Sequence, residues 1–299
     1  MDQTQVQTTT PVLRPAERAG QPRRGRGFGG GVNWWLTALL IVLSLSVLFP
    51  LYLAVVTALK SADDPSSVVG LPVTPRWSNF GEAITLTDFP RALLNTSFIT
   101  VFTVILTLLT NSMVAYAVAR NMDRSRLFKG LYFYFIAALF VPFQIIMLPV
   151  VKQTSLFGLN SPIGLIFLYV VYGLSFNIFV YVGYLKSIPR DLEEAAKIDG
   201  ATTWQTFWRI IFPLLTPINA TVGIITTLWA WNDFLLPLVI LSERTDFTLP
   251  LTQFVFQSQF TVNYNLAFAS YLMAMAPLLI VYVFAQRWII GGVTSGAVK

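Results

Sequence analysis

Six long apolar runs place the main constraint on how this chain can fold. Each approaches or exceeds about 20 mostly apolar residues, the length that an α-helix needs to cross a bilayer. The chain is 55% hydrophobic and only 11% charged, so an ordinary soluble domain does not fit it. The runs predict transmembrane helices over residues 34–59, 92–119, 130–151, 162–185, 214–241 and 266–286.

The positive charges indicate which ends of these helices face the cytoplasm. If both termini are inside, 15 of the 20 lysines and arginines fall in inside segments and five in outside loops. Cytoplasmic segments of membrane proteins carry such an excess of Lys and Arg. The sequence therefore predicts an all-α integral membrane protein of six transmembrane helices with both termini cytoplasmic. The net charge of +6 is then explained without a nucleic-acid partner.

The chain divides into three predicted parts. Residues 1–33 are rich in Pro, Gly and Arg, which predicts a disordered basic cytoplasmic tail. The apolar run that follows is too long for the core of a signal peptide, so we expect it to remain as the first span. The transmembrane domain is expected over residues 34–290 and a cytoplasmic C-terminal tail over 291–299. The outside loop of residues 60–91 is rich in turn-forming residues, and we expect it to order only against a partner.

The chain contains no cysteine and no histidine. Disulfides, thiolate catalysis and cysteine-ligated metals are therefore excluded, and the commonest general base and usual zinc ligand are missing. We expect no enzymatic activity, no catalytic residue, no metal and no cofactor bound by this chain.

A polar segment between the fourth and fifth spans, residues 187–213, has the pattern of two short helices. Asp191 is a suitable N-cap, and Gly200 can end a helix in the left-handed conformation. Thr202 and Gln205 have the spacing of a capping box, which starts a second helix. Four residues of that helix fall on one apolar face: Trp204, Phe207, Trp208 and Ile211.

An amphipathic segment of this kind either rests on the membrane surface or docks to a partner protein. Glu193, Glu194 and Asp199 favour a protein partner with basic residues, because an anionic cytoplasmic leaflet would repel them. Small residues at 195 and 196 would allow close approach of that partner.

The segment resembles the EAA loop of bacterial ABC importer permeases. The resemblance rests on "EAA" at residues 194–196, Gly200 and "IIFP" at residues 210–213, where the family usually has Leu in place of Phe212. It extends over about residues 33–299. "NTSFITVFTVILTLLTNSMVAYAVAR", "AWNDFLLPLVIL" and the ending "AQRWIIGGVTSGAVK" are similar to the maltose-type permease subunit of carbohydrate importers, a binding-protein-dependent inner membrane component.

This resemblance implies the ABC importer permease (maltose-type) fold and a division of labour among subunits. The implied partners are a second homologous permease subunit, a dimer of ABC ATPase subunits, an extracytoplasmic solute-binding protein and the lipid bilayer of the bacterial inner membrane. ATP and Mg would be used by the partner ATPase, because this chain has no phosphate-binding loop of its own. The implied ATPase-coupling residues are Glu193, Glu194, Ala195, Ala196, Asp199, Gly200, Thr203 and Pro213. The implied contacts of the C-terminal tail are Thr294 and Gly296.

Asp233 is the only acidic residue within the predicted spans, and it lies beside Trp229, Trp231 and Asn232. A carboxylate inside a membrane is costly enough to indicate a functional site. Aromatic faces together with amide and carboxylate groups suit a sugar, so these four residues are candidates for lining the translocation path. Alternatively, they fix the interface with the second permease subunit or contact water near the outer surface.

The predicted function is a permease subunit that forms half of the translocation path for a neutral di- or oligosaccharide, driven by ATP hydrolysis in a separate subunit. No Lys or Arg lies deep in a span, which favours a neutral cargo over an anionic one. Import of glycerol-3-phosphate or another sugar-phosphate-like solute is an alternative, because the partner subunit could supply the charge. An ion-coupled secondary transporter or a structural membrane scaffold would leave the polar segment unexplained.

Overall fold

The structure is a computed structural model that describes residues 33–256 and 263–297, and every regular element in this part of the chain is helical. The predicted basic tail lies outside the described residues except for Asn33. The α-helices are α1 (Trp34–Ala58), α2 (Ser78–Thr87), α3 (Phe89–Asn121), α4 (Arg126–Ala138), α5 (Phe143–Leu156), α6 (Pro162–Leu185), α7 (Asp191–Ile198), α8 (Thr203–Thr206), α9 (Phe212–Leu214), α10 (Thr216–Asn232), α11 (Leu235–Ile240), α12 (Leu249–Thr252) and α13 (Tyr264–Ala297). A π-helical stretch joins α8 to α9 (Phe207–Ile211), and 3₁₀ turns cover Arg244–Asp246 and Gln253–Phe256.

Four helical segments are long and apolar enough to cross a membrane by themselves: α1, α3, α6 and the Tyr264–Val283 part of α13. Two further candidates are bent pairs. α4 and α5 meet at 106°, and the helical stretch Thr203–Leu214 meets α10 at 75°. By length and composition, the described residues therefore supply four candidate spans, or up to six if each bent pair counts as one.

The predicted third span is not one continuous helix. α4 ends at Ala138, and α5 begins at Phe143 directly after Pro142, whose backbone is extended. Proline has no N–H to donate and disfavours helical geometry in the residue before it, so the chain breaks here.

The predicted fifth span, residues 214–241, is also interrupted. α10 ends at Asn232, Asp233 has an extended backbone (φ −71°, ψ 131°), and α11 starts at Leu235. The expectation of one helix across this stretch is therefore wrong. The break places Asp233 between two helix ends instead of on the side of a helix.

The described residues divide into two compact units, with the boundary between Phe49 and Pro50. In its described part, the first unit contributes the N-terminal portion of α1. In the second unit, α3 packs along α6, and α10 packs against both. Buried apolar clusters lie at the two ends of this three-helix core. One contains Tyr169 and Ile240, and the other contains Tyr181, Leu185 and Ile211.

The loop between α1 and α2 is ordered by the chain itself. Lys60 is 8% exposed, and its Nζ donates to the carbonyl oxygen of Ser67 at 2.6 Å. The Asp64 carboxylate accepts from the N–H groups of Ser66 and Val73 at 2.9 and 3.1 Å. The expectation that this loop orders only against a partner is therefore wrong, because internal hydrogen bonds hold it.

The last helix is longer than predicted. α13 runs without a break from Tyr264 to Ala297, so the backbone of residues 291–297 extends the helix where a separate tail was expected. The predicted contacts of Thr294 and Gly296 fall where the structure describes only the backbone, and residues 298–299 lie outside the described part.

Candidate functional site

The turn after α7 is a Schellman motif. Gly200 has a φ of +82°, a left-handed conformation that glycine adopts without a Cβ clash. Its N–H donates to the carbonyl oxygen of Lys197 at 3.0 Å, and the N–H of Ala201 donates to that of Ala196 at 2.9 Å. These two bonds satisfy carbonyl groups that the end of a helix leaves free. The predicted glycine turn is confirmed.

The second helix of the segment starts with the predicted capping box. The Thr202 hydroxyl accepts from the N–H of Gln205 at 3.2 Å, and the Gln205 side chain accepts from the N–H of Thr202 at 2.9 Å. The other predicted cap is wrong, since Asp191 is the first residue of α7 and no side chain caps that helix. Together these elements form one unit, here called the α7–α9 segment (residues 187–214).

The apolar face of the second helix packs into the ends of α3 and α6. Phe207 is 3% exposed, and its ring lies 5.3 Å from that of Tyr116 on α3. Ile211 is fully buried in the cluster that contains Leu185. Trp204 departs from the prediction, because it remains 61% exposed.

The helix widens to a π-helix from Phe207 to Ile211, just before Pro213. A proline inside a helix cannot donate the regular backbone hydrogen bond, and π-bulges occur frequently at functional sites.

Glu193 points into the protein. It is 7% exposed, and its Oε1 accepts from the Nε of Arg120 at 2.6 Å. Its Oε2 accepts from the hydroxyl of Tyr116 at 2.9 Å. The predicted acidic face therefore lacks Glu193. Sequence reasoning missed this role, although Tyr116 and Arg120 share one face of α3 at a spacing of four residues.

The remaining residues of the predicted coupling set lie mostly on the surface. Ala196 is 6% exposed, whereas the others are exposed: Glu194, Ala195, Asp199, Gly200, Thr203 and Pro213. In the described part of the chain, neither Glu194 nor Asp199 forms an ion pair. Two large apolar side chains lie among them, since Ile198 is 86% exposed and Trp204 is exposed as well. The α7–α9 segment thus presents a surface that is both acidic and apolar.

A second group of polar residues surrounds the helix break at Asp233. One carboxylate oxygen accepts from the hydroxyl of Tyr169 on α6 at 2.9 Å, and the other accepts from the N–H of Leu235 at 3.1 Å. The rings of Tyr169 and Trp229 meet edge to face, with 4.9 Å between their centres. Tyr169 was missed from the sequence, because nothing local distinguishes it from the other aromatic residues of α6.

Two cavities meet at Trp229. One, of about 460 Å³, is lined by Ile225, Leu228, Trp229, Asn232 and Asp233. The other, of about 260 Å³, lies between α6 and α10, and its residues include Tyr169, Tyr172, Phe176, Asn177, Ile225 and Trp229. Aromatic rings with a few amide and carboxylate groups form walls of the kind that bind small polar organic molecules.

The four predicted path residues separate into two groups. Trp229, Asn232 and Asp233 line a cavity. Trp231 points elsewhere, since its indole N–H donates to the carbonyl oxygen of Ala274 at 3.3 Å and its ring packs against Ala92, Leu249 and Ala274. The structure therefore brings three of the four together and gives Trp231 an internal packing role.

In the described part of the chain, no three acidic side chains lie close enough together to hold a metal ion.

Residues 111–295 match the model of the family described as "binding-protein-dependent transport system inner membrane component". Over 89% of its length the chain is 40% identical to the multiple sugar-binding transport system permease protein MsmG of Streptococcus mutans, covering 97% of that protein. It is 37% identical, with the same coverages, to the probable starch degradation products transport system permease protein AmyC of Thermoanaerobacterium thermosulfurigenes. Identity is 32% with the melibiose/raffinose/stachyose import permease protein MelC of Bacillus subtilis, over 88% of this chain and 96% of that one.

The fold is similar to a chain in the crystal structure of a bacterial ABC transporter involved in the import of the acidic polysaccharide alginate. The TM-score is 0.73 at 24% identity, over 85% of this chain and 95% of the other. A crystal structure of a bacterial alginate ABC transporter in complex with alginate pentasaccharide-bound periplasmic protein gives a TM-score of 0.59 at 20% identity, over 85% and 93%.

Proposed function

The chain belongs to the family of binding-protein-dependent transport system inner membrane components, and we propose that it is the permease subunit of an ABC importer for neutral di- or oligosaccharides. It is a multi-pass protein of the bacterial plasma membrane. The sugar class is supported by the relatives, whose names refer to multiple sugars, starch degradation products and melibiose, raffinose and stachyose.

In this proposal the protein crosses the membrane six times, with each bent helix pair forming one span and both termini in the cytoplasm. The excess of Lys and Arg in the segments then placed inside supports this orientation. The α7–α9 segment would lie on the cytoplasmic side and the α1–α2 loop on the outer side.

The α7–α9 segment is proposed to act as the EAA coupling loop. Its strongest support is the exposed surface formed by Glu194, Asp199, Ile198 and Trp204 on a base that is packed into α3 and α6. Acidic groups without an ion pair in the described chain suit a basic cleft on another protein, and the exposed apolar residues suit burial in an interface. The partner would be a dimer of ABC ATPase subunits, which would bind ATP and Mg. A second permease subunit and an extracytoplasmic binding protein would complete the complex.

The cavities beside Asp233 are proposed to line the translocation path. The half-exposed Trp229 offers an aromatic face to a sugar ring, and Asn232 and Asp233 offer hydrogen-bonding groups. Interrupted helices beside a cavity are a common construction for substrate sites in transporters. Among the described residues that line the two cavities there is no Lys or Arg, which supports a neutral cargo over a sugar phosphate.

The test is reconstitution of the four kinds of subunit in liposomes. Sugar-loaded binding protein is expected to stimulate ATP hydrolysis, and labelled oligosaccharide is expected to enter the vesicles only when ATP is present. The same vesicles receive glycerol-3-phosphate as the competing cargo. ATP hydrolysis that is identical with and without loaded binding protein, or uptake of the phosphate compound in place of the sugar, would refute the proposal.

A further inference from the structure

Arg120, near the end of α3, connects three helices through one side chain. Its Nε donates to the Glu193 carboxylate of α7 at 2.6 Å, and both side chains are nearly buried. Its two terminal nitrogens donate to the carbonyl oxygens of Leu185 and Ile188, at 3.0 and 3.3 Å. These carbonyls belong to the end of α6 and to the linker that follows it. The same carboxylate also accepts from Tyr116 of α3.

The chemistry of this cluster requires arginine. The last carbonyl groups of a helix have no partner within it, and the guanidinium group carries five N–H donors in a planar fork. Arg120 therefore satisfies two carbonyl groups and one carboxylate at once. Lysine has three donors on a single nitrogen and does not reach three acceptors in this spread arrangement.

Burying an ion pair costs solvation of both charges, so such a pair contributes little net stability compared with an apolar pair. What the buried pair provides is a fixed relative position of its two helices, because separating the partners leaves an uncompensated charge in the interior. A second ion pair joins the residue before α7 to the α3–α4 corner, Arg190 to Asp123 at 2.8 Å, and its side chains are 40% and 66% exposed. Exposed pairs of this kind are worth little, so Arg120 supplies the specific attachment.

The linker between α6 and α7 explains why such an attachment matters. Residues 186–190 are not helical, and α7 itself has only eight residues. If α7 were displaced, the non-helical linker would bend and the neighbouring helices would not follow, unless side chains fixed α7 to those helices.

We propose that Arg120, together with Glu193 and Tyr116, is the positioning element that fixes α7 to α3 and α6, so that movement of the α7–α9 segment moves α3. This inference rests on the proposed docking of that segment to an ATPase. It assigns α3 to the moving part of the subunit, and it assigns Glu193 an internal task distinct from the partner contact of Glu194.

This chain contains no cysteine, so introduced cysteines are the only labelling sites that it contributes, and the partner subunits are used in cysteine-free form. Spin labels at Asn121→Cys and Asp191→Cys report the distance between the end of α3 and α7 in the assembled transporter. Labels at Asp191→Cys and Lys152→Cys report whether α7 moves at all. Distances are measured without nucleotide and in the ATP-trapped state.

The distance between the labels at Asp191 and Lys152, the second pair, is expected to differ between the nucleotide-free and ATP-trapped states. The distance between the labels at Asn121 and Asp191, the first pair, is expected to be the same in both. If the second pair changes and the first changes equally, α7 moves independently of α3 and the inference is wrong, although the proposed function survives. If the second pair does not change in a complex that imports sugar, α7 does not move within the subunit on ATP binding and the inference is wrong, although the proposed function survives. The proposed function fails separately, if the complex shows neither sugar-stimulated ATP hydrolysis nor sugar uptake.

Variants then test the ion pair itself. Glu193→Gln keeps the shape of the side chain but removes its charge, and it is expected to raise the ATP consumed per sugar imported by about tenfold and to broaden the first distance. Arg120→Lys is expected to have an intermediate effect. Asp123→Asn breaks the exposed pair and serves as the matched control, expected to stay within about twofold of wild type. If Glu193→Gln and Asp123→Asn consume the same amount of ATP per sugar imported, the assignment is wrong. If a variant fails to assemble, the two label pairs in the chain that keeps Arg120 and Glu193 still decide the question.

Discussion

Two glycines allow the coupling role of the Gly200 turn to be separated from its contribution to stability. Gly200 ends α7 at φ +82°, and Gly158 ends α5 at φ +66°. Both turns have the same hydrogen bonds, since the N–H of Gly158 donates to Ser155 and that of Leu159 donates to Thr154. A Cβ added at either glycine would meet no other atom within 4 Å. At both positions, the stability lost on replacing glycine by alanine therefore comes from the backbone conformation alone.

That cost follows from the left-handed conformation, which is about 1–2 kcal/mol less favourable for a residue with a Cβ. A loss of this size changes the folded-to-unfolded ratio by a factor of about 5–30. Gly200→Ala and Gly158→Ala are expected to lower the stability of the purified complex by similar amounts, measured by thermal unfolding. Only Gly200→Ala is expected to reduce the stimulation of ATP hydrolysis by sugar-loaded binding protein, because it alone lies in the α7–α9 segment.

Asparagine tolerates the left-handed conformation better than alanine, so Gly200→Asn is expected to recover part of the lost stimulation. The reasoning would be refuted by equal loss of stimulation in the two alanine variants. It would also be refuted by full stimulation in Gly200→Ala at a temperature where the complex is folded.

Two further predictions test the exposed surface and the cavities. Glu194→Lys is expected to reverse the attraction to a basic cleft and to weaken binding of the ATPase in a pull-down from detergent. Glu243→Lys, an exposed control outside the α7–α9 segment, is expected to leave that binding unchanged. Normal assembly and transport by Glu194→Lys would contradict the docking role. Trp229→Ala is expected to raise KM for sugar uptake by roughly tenfold through loss of an aromatic face, and Tyr169→Phe by less, since it keeps the ring and removes only the hydrogen bond to Asp233. An unchanged KM in Trp229→Ala would remove this residue from the path.

Local sequence signals predicted the turn chemistry of the α7–α9 segment correctly. Gly200 and the Thr202–Gln205 capping box depend on residues close in sequence, whose preferences are strong. The difference between Glu193 and Glu194 could not be predicted this way. Two adjacent glutamates on a helix differ in direction by about 100°, and which one faces the core depends on Arg120, far away in sequence. The tertiary partner decides, and its identity appears only in the fold.

The helix breaks show a similar division. Apolar runs establish that a segment can lie in a membrane, but an interruption of a few residues hardly changes the average composition of the run. Pro142 gave a local signal for its break because proline acts on the backbone directly. Asp233 gave no local signal that the helix would break there. Its extended conformation is supported by the hydrogen bond from Leu235 and by Tyr169 on another helix.

The two candidate sites are connected by α10 and α6. α10 has 17 residues, so it spans about 25 Å at 1.5 Å per residue. It begins directly after Leu215, which is buried in the cluster with Phe207, and it ends at the residue before Asp233. α6 runs between the same two places, from near Tyr169 at the cavity to Leu185 beside Arg120. A tilt imposed on the α7–α9 segment would thus reach Trp229 and Asp233 through α10 and α6, which are both packed on α3, and the cavity walls would change their separation.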